Sequence, residues 1–173
     1  ESTAPKPPAA VRGEEAPLDA FFAALATAPD DASAARARGR IEARWNASGS
    51  VTADLLSARA ATAAHAGDRA LALDLLDAVI VVAPTWANAR HHRALLHIAR
   101  DDFGHAAADL AETLRLEPRH IGAMTTAAAL AEASGRKTEA LKWLRRLAAI
   151  DPRNPGLGAR LERLTIEVEG REL

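Results

Sequence analysis

Between residues 53 and 154 the apolar positions follow a helical period, and the helices they predict come in pairs. Three stretches, "AGDRALALDLLDAVIVVAP", "RDDFGHAAADLAETLRLEP" and "SGRKTEALKWLRRLAAIDP", end at Pro84, Pro118 and Pro152. Inside and before them Ala60, Ala94 and Ala128 share one phase, Ala72, Ala106 and Ala140 a second, and Leu76, Leu110 and Leu144 a third, each recurring every 34 residues. Alanine lets two antiparallel helices approach closely, and leucine four residues later on the same face fills the space beside it. Gly67-Asp68, Asp101-Asp102 and Gly135-Arg136 mark a turn between the two helices of each unit, since glycine and aspartate tolerate turn conformations. Proline cannot continue a helix interior and so marks the end of the second helix. One such unit cannot bury its apolar faces alone, but stacked units can.

The flanks carry the helical period without the repeat. At 17–29, Leu18, Phe21, Phe22 and Leu25 fall on one side of a short helix. Asp30 or Asp31 can cap a second helix running to about Ala47, before "NASGS" breaks the chain. This pair is expected to form a hairpin cap, residues 17–50, packed on the first repeat. After the proline-glycine turn at 155–156, Leu157, Leu161, Leu164 and Val168 predict a C-terminal capping helix within 155–173. Residues 1–16, rich in proline and alanine, have no apolar periodicity and read as a disordered tail.

Composition narrows the class. The 173 residues are 49% hydrophobic but only 3% aromatic, with no tyrosine, which favours close-packed helices over a β-sandwich. The net charge of −1 lacks the basic footprint of a nucleic-acid binder. No apolar run approaches the length that spans a bilayer, so membrane insertion is not expected. The absence of cysteine removes disulfides, thiol nucleophiles and cysteine-ligated zinc. The extended N-terminal composition leads to the expectation of an exported, periplasmic protein whose signal peptide has been removed, with the cytoplasm as the alternative.

With its alanines, leucines and prolines in phase, the stretch from Ala53 to about Asn154 resembles the tetratricopeptide repeat (TPR) family. More loosely, "VVAPTWANAR", "LRLEPRHIGAM" and "VEGREL" look like short exported bacterial members. The resemblance implies an all-α fold: a right-handed α-solenoid of three helix-turn-helix repeats at 53–86, 87–120 and 121–154. A helical hairpin would precede them and a capping helix follow, nine helices in all. The chain departs from the family at Leu56, Arg90 and Met124, at Ala63, His97 and Ala131, and at Val79, Thr113 and Leu147. Arg90 and Arg93 are expected to lay their stems on the surface with their heads in water.

Candidate chemistry is sparse. No glycine-rich phosphate loop, G-x-S-x-G elbow or H-E-x-x-H motif is present, and no catalytic residue is expected. Six histidines (His65, His91, His92, His97, His105 and His120) include no pair at i and i+4 on one helix, so neither a metal site nor a cofactor is expected. Arg36, Arg40 and Arg44 read as a solvated face. The TPR resemblance implies that the first helix of each repeat lines a concave groove. Asp54, Ser57 and His65 would face it from the first repeat, Asn88, His91 and Leu95 from the second, and Thr125 and Ala129 from the third, with His92 and Thr126 at its edge. The family's carboxylate clamp for chaperone tails needs lysine and asparagine at particular groove positions, and the sequence does not supply that set. If His91 and His92 touch a ligand, affinity is expected to change between about pH 5.5 and 7.5. The expected function is a non-catalytic scaffold or adaptor, monomeric, holding a peptide or partner protein in the groove. The alternatives are a small-ligand or metal-binding protein using the histidine-rich second repeat, and an accessory subunit of an envelope enzyme complex.

Overall fold

The structure is a computed structural model describing residues 17–170; the tail expected at 1–16 and the last three residues lie outside the described residues. Among the described residues there are nine α-helices and no strand: α1 (Leu18–Ala26), α2 (Asp31–Trp45), α3 (Val51–His65), α4 (Arg69–Val82), α5 (Ala87–Ile98), α6 (Phe103–Leu116), α7 (Ile121–Ala133), α8 (Lys137–Ile150) and α9 (Leu157–Glu169). Helices α3 and α4, α5 and α6, and α7 and α8 pair, and successive pairs stack through α4 on α5 and α6 on α7.

The period of the sequence becomes a period of backbone geometry. After α3, α5 and α7 the chain turns through positive φ at Gly67 (85°), Asp101 (58°) and Gly135 (72°). The following N–H then reaches back: Asp68 to the Ala63 carbonyl at 2.9 Å, Asp102 to that of His97 at 2.9 Å, Arg136 to that of Ala131 at 2.8 Å. This arrangement satisfies carbonyls that the helix end leaves open. Asp68 and Asp102 then cap α4 and α6 through their side chains. At the far end each proline directly follows the C-cap residue, Ala83, Glu117 or Asp151. The phased alanines pack where helices approach: Ala72, Ala94, Ala106, Ala128 and Ala140 are fully buried, and Leu76, Leu110 and Leu144 are at most 3% exposed. Burying each leucine contributes about 1.5–3 kcal/mol.

The N-terminal hairpin departs from expectation. Its helices do not pack on α3 and α4 of the first repeat. Phe22, Leu25, Ala34, Ala37 and Ile41 join the core formed by α6–α9, while Ala53, Val79 and Ala89 of the first repeat and its neighbour form a separate cluster. The hairpin lies along the turns that follow the second and third repeats. Arg38 donates to both oxygens of Asp151 at 2.8 and 2.9 Å. Arg153 donates to the Ala28 and Pro29 carbonyls at 2.9 and 2.7 Å and to Asp31 at 3.0 Å. Arg119 pairs with Asp19 at 2.7 Å, and its guanidinium lies 4.1 Å from the Phe22 ring centre. Asp151 is fully buried, so its charge requires the Arg38 partner. At the other end α9 buries Leu157 and Leu164 against α8. Its Arg160 and Arg163 both bind Glu132 of α7.

Candidate functional site

Helices α3, α5 and α7 carry all the residues expected to face the groove, and the structure divides them into two groups. The first group is packed. Asn88, in the first turn of α5, is 6% exposed. Its amide donates to Asn46 Oδ1 at 2.7 Å, and its own Oδ1 meets His120 Nε2 at 3.2 Å. His120 is the N-cap of α7: its Nδ1 accepts the Ala123 N–H at 3.1 Å, so the proton sits on Nε2. The Trp45 ring stacks flat on His120, 4.4 Å between centres and 3° between planes. The Trp45 carbonyl accepts from Trp86 Nε1 at 2.6 Å. The end of α2 thus covers the N-terminal ends of α5 and α7, and Asn88, placed in the groove by sequence reasoning, is an internal residue.

His91 continues this network. Its Nε2 lies 3.2 Å from Thr126 Oγ1, whose proton goes to the Gly122 carbonyl at 2.9 Å. The hydroxyl therefore accepts, and His91 is protonated on Nε2. Thr125 turns its hydroxyl to the Ile121 carbonyl at 3.0 Å. Burial pushes the His91 imidazolium down to about 3, helped by repulsion from His120 and His92. Burial likewise pushes His120 down to about 4, with repulsion from His92 adding to it. Desolvation also lowers His92. The titration expected of His91 between pH 5.5 and 7.5 is thus displaced well below that window, because a half-buried ring among other imidazoles holds a proton poorly.

Gly122 is part of this packing. A Cβ added there would stand 2.8 Å from His91 Cε1 and 3.5 Å from His120 Cε1. Both rings are held by hydrogen bonds, so Gly122→Ala is expected to destabilise the fold by about 1–3 kcal/mol in urea unfolding. Gly104→Ala, where the nearest atom is 4.0 Å away, is expected to be neutral or slightly stabilising. Equal effects of the two substitutions would refute the packing role.

The second group forms an open surface. Ser57, Ala61, Ala64 and His65 of α3 face His92, Leu95 and Leu96 of α5 across a groove of about 310 Å³. Its walls are mainly apolar carbon, and Leu95 is 43% exposed. Ala129 is exposed on α7. Asp54 faces solvent but accepts the Ser48 N–H at 2.9 Å, which holds its carboxyl below the usual range. Arg93 does not keep its head in water. It grips the buried Asp109 through Nε and Nη2 at 2.8 and 2.6 Å and reaches Asp77 at 2.7 Å. A further cleft of about 400 Å³, lined by α4, α5 and α6, includes Arg93, His97, His105 and Asp109. His97 and His105 meet Asp102 there. The members of this group stand on either side of a turn, so no spacing of four residues along one helix marks them in the sequence. The available signal was His97 itself, standing where the other repeats have Ala63 and Ala131.

Helix pairs recurring every 34 residues, matching turns and stacked phased alanines define an α-helical repeat protein of the solenoid class. The chain belongs to the tetratricopeptide repeat family. It is 33% identical over 135 residues to a TPR repeat-containing protein of Rhizobium etli, a match covering 78% of this chain. The chain spans 66% of the length of that relative. No protein-family model matches the sequence. Among solved structures it is similar to the first TPR of Spaghetti (RPAP3) bound to the HSP90 peptide SRMEEVD, with TM-score 0.63 and 19% identity over 68% of this chain and 96% of that one. It is also similar to the Arabidopsis OM64 TPR domain, with TM-score 0.62 and 16% identity over 68% of this chain and 97% of that one. The Sgt2 TPR domain from Aspergillus fumigatus gives TM-score 0.60 and 16% identity over 69% of this chain and 81% of that one. No described helix is long and apolar enough to cross a membrane.

Proposed function

We propose that the chain is a non-catalytic interaction module that holds an extended peptide or a segment of a partner protein against α3 and α5. The open apolar groove between these helices carries the reading. Ala61 and Ala64 leave room for side chains, and Leu95 and Leu96 offer apolar contact. Ser57, His65 and His92 supply hydrogen-bonding groups at its margin. Because the groove is built on packed helices, binding needs little reorganisation and loses little conformational entropy. The walls carry no lysine or arginine, so the reading favours a segment with apolar anchors over an acidic tail of the kind named for the Spaghetti TPR. A monomer suffices for this task. A bacterial periplasmic setting is part of the reading, motivated by the proline- and alanine-rich composition of residues 1–16; fractionation of source cells tests it.

The groove is tested by capture from an envelope extract, with the wild type beside Ala61→Glu and Leu95→Glu. Both positions are exposed, so the variants are expected to fold with unchanged Tm. A partner held by the wild type and weakened at least about tenfold in both variants supports the groove. A partner held equally by all three moves the interaction elsewhere and overturns the reading.

A further inference from the structure

The turn of the second repeat differs from its two counterparts in a way the fold does not require. At the phase of His97 the other repeats have Ala63 and Ala131, and at the phase of His105 they have Leu71 and Glu139. The same backbone turn forms in all three. In the second repeat alone, Asp101 takes the positive φ that glycine takes elsewhere, a conformation unfavourable for a residue with a Cβ. Structural need therefore accounts for Asp102 as a helix cap but not for the histidines on both sides of it.

We propose that His97, Asp102 and His105 form a binding site for a transition-metal dication of the zinc type. One ligand atom from each lies within 4.8 Å of the others. Two imidazole nitrogens and a carboxylate oxygen suit zinc and its neighbours, whereas calcium and magnesium favour all-oxygen sets. Zinc bonds of about 2.0–2.2 Å in a tetrahedron place ligand atoms about 3.3–3.6 Å apart. His97 Nδ1 stands 3.5 Å from Asp102 Oδ2, close to that spacing. His105 Nδ1 stands 2.7 Å from the same oxygen, at hydrogen-bond distance. The His105 side chain is 74% exposed, so a small rotation opens that contact to admit a cation.

Two features prepare the site. Asp102 accepts the His105 N–H at 3.3 Å as the cap of α6, which holds its carboxylate between the two rings. The other nitrogen of His97, Nε2, faces Asp109 Oδ2 at 3.9 Å. Asp109 is itself fixed by Arg93. At 3.9 Å Asp109 makes no hydrogen bond to the ring, but its charge favours a cation held by His97. The adjoining cleft leaves space for water to complete the coordination. A bound ion would tie the end of α5 to the start of α6. This site uses other residues than the proposed peptide groove, and either can fail without the other.

Titration calorimetry of the untagged full chain with zinc chloride tests the site, beside His105→Ala and His97→Asn. The expected result is one zinc bound in the micromolar range or tighter, with a rise in Tm. Affinity should fall at least about tenfold in each variant, while circular dichroism remains that of the wild type. The double substitution His65→Ala/His92→Ala, in the groove, is expected to leave zinc binding unchanged. No binding by the wild type at 100-fold excess zinc over protein overturns the proposal, as does binding that survives His105→Ala undiminished.

Discussion

Trp45→Ala is expected to destabilise the protein by about 3 kcal/mol and to release the N-terminal hairpin from the repeats. The magnitude is the lower part of the range for truncating a large aromatic residue in a core, since Trp45 is only half-buried. Its ring packs on His120 and beside Phe22, so the truncation opens a gap between hairpin and repeats rather than within either. Loss of the ring also uncovers the Asn46–Asn88–His120 hydrogen bonds to water. Trp45→Phe should cost less, because it keeps a stacked ring and removes an indole N–H that is buried without a partner. Urea unfolding measures the energy. Limited proteolysis near Gly49, in the link between hairpin and repeats, measures the release. Destabilisation without faster cleavage would show that the hairpin stays docked by other contacts, chiefly Arg38 on Asp151 and Arg153 on the α1–α2 turn.

Stability is expected to fall steeply as the pH drops from about 6.5 to 4.5. In the unfolded chain His91 and His120 titrate near 6.5. In the folded protein they are pushed down to about 3 and about 4. A lowered histidine pKa means that the unfolded state binds the proton first. Their contribution is therefore fully present above pH 6.5 and is lost as the pH falls toward the folded values. Each group sets a slope of about 1.4 kcal/mol per pH unit inside that window, so together they weaken the fold by about 2–3 kcal/mol for each unit. Protonation of His120 would also remove the acceptor for the Ala123 N–H. The carboxylates with lowered pKa, such as Glu132 and Glu167, lose their contributions only at lower pH. Urea unfolding at pH 7.5, 6.0, 5.0 and 4.5 measures the slope, and His91→Gln/His120→Asn should flatten it. An unchanged unfolding free energy from pH 7.5 to 5.0 would refute the assignment of neutral, buried rings.

The two kinds of information in the sequence had different reach. Phased residues report on neighbours one repeat away, so Ala72, Leu76 and Pro84 with their counterparts made the helix pairs and turns legible. The hairpin has no phase. Nothing in "PLDAFFAALATAP" indicates which repeat receives Phe22, and the contacts that decide it, Arg38 with Asp151 and Arg119 with Asp19, join residues far apart along the chain. That displacement explains the misplaced candidates. Family positions place Asn88 inward from α5, and there Asn46 and Trp45 already occupy the inside. Further along α3 and α5, beyond the reach of the hairpin, Ser57, His65, His92 and Leu95 border open space. His97, Asp102 and His105 carry no periodic signal, because a turn rather than a helical period brings them together.

Stacked helix pairs normally need contact only between neighbours in sequence, so folding of such arrays can begin at any point and spread. The hairpin changes that property here. Its first strong partners, Asp151 and Arg153, lie 113 and 125 residues from Arg38 and Ala28. During synthesis the hairpin is made before the repeats, yet its seat is completed only when the third repeat has followed. Until then Phe22, Leu25 and Ile41 lack part of the core they join. A segment made before the repeats therefore finds its place only after them, and the unfinished chain is most vulnerable to aggregation and proteolysis over the interval between the two.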